Sequence, residues 1–271
     1  MTNVEVPDAP ADAGAAEPVG AASPPHTLAI DIGGTGLKAS VLDAHGAMVV
    51  DRVRVPTTYP LAPTGLVAAL AELVKPLPDF DRVSAGFPGV VRKGCIVTAP
   101  HFSTAGGPGT AVDPDLLTAW TGFDLAGELE RLWGKPTKVV NDADLQGAAV
   151  VSGSGLELVV TLGTGVGTGV FLDGQVAPHL EIAHHPFRKG ETYNEQLGEA
   201  ARKRIGPKKW NKRVEEALAN LDVLLNPDRT YIGGGNSKHL TLELSPTTTV
   251  VDNAAGILGG IKLWETSGHL T

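Results

Sequence analysis

Short runs of alternating apolar and polar residues begin after residue 26, and glycine-rich segments separate them. Three of these runs, at residues 27–32, 37–43 and 47–55, follow one another with turns around Gly34 and at residues 44–46. Period-two runs divided by glycine turns are typical of antiparallel strands. The start of the pattern therefore predicts a three-stranded meander.

The rest of the first half alternates between helical and strand patterns. Leu66, Leu70, Leu73 and Val74 recur at the three- and four-residue spacing of one helix face. A glycine- and proline-rich stretch at 100–114 predicts a loop. The remaining predicted elements are strands at 82–87, 90–97 and 137–140 and a short helix around 125–132.

The second half opens in the same way, with strands at 158–162 and 167–172 joined by a glycine turn. Residues 195–225 follow a helical pattern that is interrupted at Gly206. Two halves that each open with strand, glycine turn and strand predict a duplicated α/β unit with a cleft between the halves. The remaining predicted elements are short strands that end at Ile232 and lie at 248–251, and a closing helix at 254–264.

Composition and charge narrow the class of protein. Hydrophobic residues make up 42% and charged residues 19% of the 271, which are globular values, while residues 1–26 lack apolar periodicity and predict a tail without a fold. The 30 acids outnumber the 22 Lys and Arg, which argues against a general nucleic-acid binder. The single cysteine, Cys95, excludes an internal disulfide and a multi-cysteine zinc site and suits a reducing compartment. No apolar run approaches the roughly 18 residues of a membrane span, so we expect a cytoplasmic protein without membrane contact.

The 34 glycines cluster in turns, and the first cluster has the chemistry of a phosphate cradle. Residues 31–38 read Asp-Ile-Gly-Gly-Thr-Gly-Leu-Lys between two predicted strands. Main-chain N–H groups in such a turn form a concavity for an anion, and glycine lets a phosphate approach closely. The candidate phosphate ligands are Gly33, Gly34, Thr35, Gly36 and Lys38, with Asp31 as a ligand of Mg²⁺, directly or through water. An ordinary glycine-rich hairpin is the alternative.

Two further glycine clusters follow. The turn at 163–169 again joins two strands. If it faces the first turn across a cleft, Gly163, Thr164 and Gly165 could bind the same phosphate chain from the other side. The cluster Gly233-Gly234-Gly235-Asn236 ends a strand and is predicted to open a helix, where N–H groups favour an anion or a nucleotide. A plain hairpin and a plain strand-to-helix turn are the respective alternatives.

Four motifs in this order carry a family resemblance: residues 31–38, Asn141-Asp142-Ala143-Asp144, residues 163–169 and residues 233–235. Together they resemble the ROK family of sugar kinases, within the sugar kinase/actin/Hsp70 superfamily, over nearly everything after residue 26. The segment 181–190 is similar to the polyphosphate glucokinase branch of that family.

The resemblance implies an α/β, two-lobed, RNase H-like fold with a central cleft. The implied division is a smaller lobe at 27–140 and a larger lobe at 141–251, with a C-terminal helix at about 252–266 packing back on the smaller lobe. Three departures stand out. The cysteine-rich zinc motif of many relatives is absent, an N-terminal acidic tail replaces the DNA-binding domain of the family's repressors, and His101 replaces the asparagine that usually follows the Thr-Ala-Pro segment.

The resemblance also assigns the sugar site. Asp142 matches the catalytic base, at a strand end where the next helix begins. The other implied sugar-binding residues are Asn141, Glu181, His184, Glu195 and Gly89, the last within Phe87-Pro88-Gly89. Four of these residues have a structural alternative. Asp142 could be a helix N-cap, and Glu195 an exposed helical glutamate. His184 could be a structural histidine, with His185 as a competing assignment for the sugar, and Gly89 could belong to a rigid strand end.

Basic residues concentrate between residues 188 and 213, which hold 9 of the 22 in the chain. The functional interpretation is a track for a long polyanion, and the structural one is a solvated helix face. Within this stretch the aromatic residues are Tyr193 and Trp210, too few for stacking on nucleic acid, so polyphosphate is favoured. The predicted track residues are Arg202, Lys203, Lys208, Lys209 and Lys212.

These features support three hypotheses. The leading one is a kinase that uses polyphosphate and ATP, with Mg²⁺ and without structural zinc, on glucose, with mannose as a second candidate. The second is a strictly ATP-dependent sugar kinase, and the third is a sugar-binding regulator without catalysis. The sequence leaves a monomer and a homodimer both open.

Overall fold

Two five-stranded mixed sheets carry the fold, with strand orders β3-β2-β1-β4-β7 and β10-β9-β8-β13-β14. The computed structural model describes residues 24–251 and 259–265. Most of the predicted tail at 1–26 and the first residues of the predicted closing helix therefore lie outside the described residues.

The strands, in chain order, are β1 (Thr27–Ile32), β2 (Gly36–Leu42), β3 (Val53–Pro56), β4 (Arg82–Phe87), β5 (Val91–Arg92), β6 (Cys95–Ile96), β7 (Thr137–Asn141), β8 (Leu156–Leu162), β9 (Val166–Leu172), β10 (Gln175–Val176), β11 (Pro186–Arg188), β12 (Glu191–Thr192), β13 (Arg229–Gly233) and β14 (Thr248–Val250). The helices are α1 (Pro63–Val74), α2 (Pro114–Trp120), α3 (Leu125–Trp133), α4 (Asp142–Ala148), α5 (Tyr193–Leu197), α6 (Glu199–Ile205), α7 (Pro207–Leu225) and α8 (Gly259–Glu265). Two 3-10 turns lie at Ile182–His184 and Ser237–His239.

The first sheet begins as the predicted meander. β1 pairs antiparallel with β2, and β2 with β3, while β4 is parallel to both β1 and β7. Helices α1 and α3 pack on this sheet over a core that includes Leu28, Ile30, Leu66, Leu70 and Phe87. These apolar positions are the ones whose periodicity predicts the elements, because burial of one face is what stabilises each of them.

The second sheet repeats the arrangement. β8 and β9 form an antiparallel hairpin, and β13 lies parallel to β8 with β14 parallel to β13. Helix α7 covers the sheet with Trp210, Val214, Ala217 and Leu221, which are spaced along one helix face and fully buried. The duplication predicted from the two strand–turn–strand openings is therefore present in the sheets.

Helices α4 and α8 lie where the two sheets approach each other. α4 contacts β4 and β7 of the first sheet and β8 and β9 of the second. α8 packs on α4, β1 and β4, and Ser84 Oγ donates to the carbonyl of Gly260 at 2.6 Å. A Cβ at Gly259 would overlap the carbonyl oxygen of Leu145, so this crossing needs a residue without a side chain.

Some local predictions were wrong. The run at 90–97 is a hairpin of β5 and β6, because Lys93 and Gly94 take positive φ values of 50° and 76° that end the first strand. β3 begins at Val53, six residues later than predicted, and α2 was not predicted. The cluster Gly233–Asn236 is followed by a single 3-10 turn at Ser237–His239, and no α-helix begins between this turn and β14. Within residues 24–251 and 259–265, no helix combines the length and apolarity needed to span a membrane.

Candidate active site

The base predicted at Asp142 is the first residue of α4. The preceding residue, Asn141, is the N-cap: its Oδ1 accepts the Ala143 N–H at 2.7 Å and its Nδ2 donates to the Gly89 carbonyl at 3.0 Å. A Cβ at Gly89 would lie 2.1 Å from the Thr98 carbonyl oxygen, which explains the glycine. The capping role thus falls to Asn141, and Asp142 Oδ1 shares the Ala143 N–H at 2.9 Å.

The electrostatic environment of Asp142 suits a proton acceptor. Burial raises the pKa of Asp142 to about 7, the nearby carboxylates of Asp31, Asp144 and Glu181 add to the rise, and the Ala143 N–H opposes it. A general base works best when its pKa lies near the working pH. Asp142 therefore has the proton affinity that suits a general base near neutral pH.

The first glycine turn is tied to the protein through its carbonyl groups. Thr57 Oγ1 donates to the Gly33 carbonyl at 2.7 Å, and Tyr59 OH donates to the Gly34 carbonyl at 2.8 Å. A Cβ at Gly34 would lie 2.6 Å from His101 Nδ1, so only glycine fits beneath that ring. The sequence signalled the turn but not the two hydroxyl groups that hold it.

The two charged residues of this turn pair with each other. Lys38 Nζ donates to Asp31 Oδ2 at 2.7 Å across the β1–β2 register. No group of three or more His, Cys, Asp or Glu side chains within the described part of the chain could hold a metal. Mg²⁺ commonly takes one or two carboxylates and completes its shell with substrate phosphates and water, so a single Asp31 is a donor set that fits it.

The second and third glycine clusters form one unit. The Gly163 carbonyl accepts Asn236 Nδ2 at 2.8 Å and the Glu199 N–H at 3.1 Å. Gly234, at φ 88°, lies directly against the backbone of Leu162. The cluster predicted to bind nucleotide therefore packs directly on the second phosphate turn.

Both turns flank the start of α4. Asp31 is in register with Gly86 of β4, and a Cβ at Gly86 would lie 3.2 Å from Asp142 Cα. From the second sheet, a Cβ at Gly167 would lie 2.9 Å from Ala143 Cβ. Bare backbone from each sheet thus comes close to the residue pair that begins the helix.

Glu181 and His184 lie at the two ends of the 3-10 turn Ile182–His184, and the charge of Glu181 reaches Asp142. His184 Nε2 is 3.8 Å from Glu181 Oε2, and His179 Nε2 is 3.7 Å from Glu181 Oε1. Burial raises the pKa of Glu181, but the contacts with His179, His184 and His101 outweigh it and lower that pKa. His185 is exposed and bonds the carbonyl of Pro186, so the partner of Glu181 is His184.

The predicted sugar ligand Glu195 has a structural role in the described chain. It completes a capping box at the start of α5, where its Oε2 accepts the N–H of Thr192 at 2.8 Å and the Thr192 hydroxyl at 2.9 Å. These bonds lower the pKa of Glu195. The side chain is exposed, and its contact with a sugar stays a prediction.

Sequence reasoning missed His179 and gave Asp144 no role. The two side chains are buried together, with His179 Nδ1 2.9 Å from Asp144 Oδ2. The only available signals were the position of Asp144 inside the Asn-Asp-Ala-Asp motif and the position of His179 two residues before Glu181. Their 35-residue separation conceals the contact in the sequence.

The basic run divides into paired and unpaired cations. Arg202 makes two hydrogen bonds to Glu199, at 2.9 and 3.0 Å, and Lys203 lies 3.1 Å from the same carboxylate. Across the described residues, no ion pair involves the exposed Lys208, Lys209 or Lys212, which lie on the first turns of α7. The cationic surface is thus carried mainly by α7.

Comparisons with known proteins agree with this geometry. A sequence model of the ROK family matches residues 27–178. The chain is 28% identical to a polyphosphate glucokinase of Mycobacterium tuberculosis (strain CDC 1551 / Oshkosh) over 264 residues, 90% of this chain and 92% of that protein. The structure of an inorganic polyphosphate/ATP-glucomannokinase from Arthrobacter sp. strain KM superposes with a TM-score of 0.72 at 27% identity, over 89% of this chain and 100% of that one.

A third comparison bears on the fold alone. A ROK family glucokinase from Streptomyces griseus, in complex with glucose and AMPPNP, superposes with a TM-score of 0.68 at 20% identity, over 88% of this chain and 98% of that one. The predicted family resemblance and the predicted two-lobed α/β fold are confirmed.

Proposed function

The chain belongs to the ROK family, and we propose that it is a glucokinase that transfers the terminal phosphoryl group of inorganic polyphosphate, and of ATP, to the 6-hydroxyl of glucose. The observation that carries the proposal is Asp142, a half-buried carboxylate with a pKa raised to about 7 at the junction of both sheets. The similarity to a polyphosphate glucokinase and to a polyphosphate/ATP-glucomannokinase supports the choice of donor and sugar.

In the proposed reaction, the 6-hydroxyl oxygen of glucose attacks the terminal phosphorus. Its proton passes to the carboxylate of Asp142, and the bond from phosphorus to the bridging oxygen breaks with the electron pair remaining on the departing phosphate. A positioned base of this kind contributes about 10²–10⁴ in rate. Glu181 and His184 bind the other sugar hydroxyls, with Asn141, Gly89 and Glu195 as further candidates.

The donor phosphates lie along bare main chain in this proposal. Main-chain N–H groups of Gly33, Gly34, Thr35 and Gly36 bind one side, and those of Gly163, Thr164 and Gly165 bind the other. Lys38 adds a positive charge when the phosphate draws it from Asp31. Mg²⁺ held by Asp31 would supply neutralisation of phosphate charge. For ATP, the segment Gly233–Asn236 would take the nucleoside portion.

A long polyphosphate would continue over α7. The exposed lysines at 208, 209 and 212 provide the track, and Arg202 and Lys203 contribute less because Glu199 neutralises part of their charge. Glucose, polyphosphate, ATP and Mg²⁺ are then the partners, with mannose as a second sugar. We place the reaction in the cytoplasm, a reducing setting that suits a lone cysteine.

Purified protein with glucose and Mg²⁺, given either long-chain polyphosphate or ATP, tests the proposal. Glucose 6-phosphate from both donors is the expected result. Product from ATP alone would select the strictly ATP-dependent kinase. Absence of product from either donor, with glucose binding retained, would select the sugar-binding regulator.

A further inference from the structure

We propose that His179 is a positioning residue for the sugar: it joins Asp144 of α4 to Glu181 and fixes the Glu181 carboxylate in the orientation that binds the hexose. The inference rests on the proposed function, because it assigns a role to Glu181 in sugar binding. It adds one element to that function, a link between the helix that begins with Asp142 and the carboxylate on the sugar side.

Both ring nitrogens of His179 face carboxylates. Nδ1 lies 2.9 Å from Asp144 Oδ2, and because an ionised carboxylate only accepts, Nδ1 carries the proton and donates. Nε2 lies 3.7 Å from Glu181 Oε1. The side chains of His179 and Asp144 are only 4% and 3% exposed, so the contact between them is shielded from water, whereas the Glu181 side chain is 28% exposed. A histidine that merely filled core space would not need an acidic partner on each side.

The surrounding backbone holds this link in place. Arg92 Nη2 donates to the His179 carbonyl at 2.5 Å, and Thr168 Oγ1 donates to the Leu180 carbonyl at 3.1 Å. A Cβ at Gly169 would lie 3.1 Å from Asp144 Oδ1, so the glycine leaves room for that carboxylate. The two residues that precede Glu181 are thereby held by β5, through Arg92, and by β9, through Thr168.

Charge reinforces the geometry. Burial alone lowers the pKa of His179, but the hydrogen bond with Asp144 and the contact with Glu181 raise it to about 9. His179 itself faces Asp144 of α4 and Glu181 of its own segment. Arg92 of β5 acts on Asp144. The other titratable groups close to these two carboxylates are His101, His184 and Asp142. At neutral pH His179 is therefore an imidazolium, which keeps Glu181 ionised as an acceptor for sugar hydroxyls.

The spacing explains why such a link matters. Asp144 follows Asp142 by two residues on the same helix turn, so the base and the support of the sugar carboxylate move together. Glucose must present its 6-hydroxyl to Asp142 while other hydroxyls bind Glu181. A rigid connection between the two ends of the sugar site fixes that separation before glucose binds, so that less ordering is needed when the sugar enters.

Enzyme kinetics on His179→Gln and Asp144→Asn, with His45→Gln in an exposed turn as the matched control, test the inference. His179→Gln is expected to raise the KM for glucose about tenfold, with kcat within about threefold of wild type and the donor KM unchanged, because ground-state sugar binding is what the link supports. In wild type the KM for glucose should rise as the pH passes about 9, and His179→Gln should abolish this rise. His45→Gln should match wild type throughout.

Nitrogen-15 spectra of the histidine rings provide a readout without catalysis. His179 is expected to titrate near 9 in the wild-type protein and lower in Asp144→Asn, with circular dichroism confirming that each variant is folded. Titration of His179 near its ordinary 6.5, or an unchanged KM for glucose in folded His179→Gln, would overturn the inference. A wild-type protein that binds glucose but forms no product would instead overturn the proposed function, and glucose affinity of the variants would then decide the link. If His179→Gln does not fold, Asp144→Asn and the titration decide it.

Discussion

Asp31, near the end of β1, and Asp142, the first residue of α4, lie on either side of one glycine of the intervening strand β4. Asp31 is paired with Gly86 across β1 and β4, and the bare Cα of Gly86 lies beneath the start of α4, where its Cβ would come 3.2 Å from Asp142 Cα. After burial, the charge of Asp31 is the next largest cause of the raised pKa of Asp142. The carboxylate of Asp31 thus helps to set the proton affinity of Asp142, the proposed base.

The pH dependence of catalysis follows from the pKa of Asp142. The base must be ionised to accept a proton, so kcat/KM for glucose should fall tenfold per pH unit below about 7 and level off above it. Asp142→Asn should keep glucose binding while lowering kcat by about 10² or more. Steady-state rates across pH 5–9 measure both effects. A variant with near-normal turnover would remove Asp142 from the role of base.

The same raised pKa makes Asp142 a source of instability at alkaline pH. The folded pKa of about 7 lies above the ordinary 3.8, so the folded state holds this proton more tightly. The resulting stability is complete below pH 4 and is lost as the pH rises through 7. At pH 8, Asp142→Asn should therefore melt at a higher temperature than wild type, by about 2–4 °C for each kcal/mol of stability gained. At pH 4 the two proteins should melt at nearly the same temperature. Equal melting shifts at both pH values would contradict this origin.

Gly163 offers a test of the second turn that leaves the fold intact. A Cβ at Gly163 meets no atom within 4 Å, so Gly163→Ala should fold with a stability within about 1 kcal/mol of wild type. If the donor phosphate lies against this main chain, the methyl group enters its space and the donor KM should rise about tenfold at constant KM for glucose. Gly65→Ala in α1 is the control. Unchanged donor kinetics would place the phosphate elsewhere.

The exposed lysines of α7 should distinguish the two donors. Lys208→Glu with Lys209→Glu places two negative charges where the polyphosphate track is proposed, so the KM for long-chain polyphosphate should rise more than the KM for ATP. The gap should widen at low ionic strength, since screening of exposed charges weakens there. Lys75→Glu, a charge reversal at the exposed C-cap of α1 on the first sheet, should change neither. Equal losses on both donors would contradict the track.

The sequence determined most of the scaffold because the signals involved are local. Alternating apolar residues around Gly34 predict the β1–β2–β3 meander, and the second strand–turn–strand unit predicts its repeat. The turn residues and the motif at 141–144 pointed to a phosphate- and sugar-binding cleft. The hairpin at 91–96 was mistaken for one strand because nothing nearby in sequence shows that Lys93 takes a positive φ.

Only the tertiary structure decided which side chains of the site have structural partners and which remain available to a ligand. Asn141 became the helix cap, Glu195 entered a capping box, and Glu199 took up the charge of Arg202 and Lys203. The contact of His179 with Asp144 joins residues 35 positions apart, and it exists because β9 brings its glycines against α4. The periodicity of a helix or strand depends on residues that are neighbours in sequence. The partner of a buried charge depends instead on which elements the fold packs together.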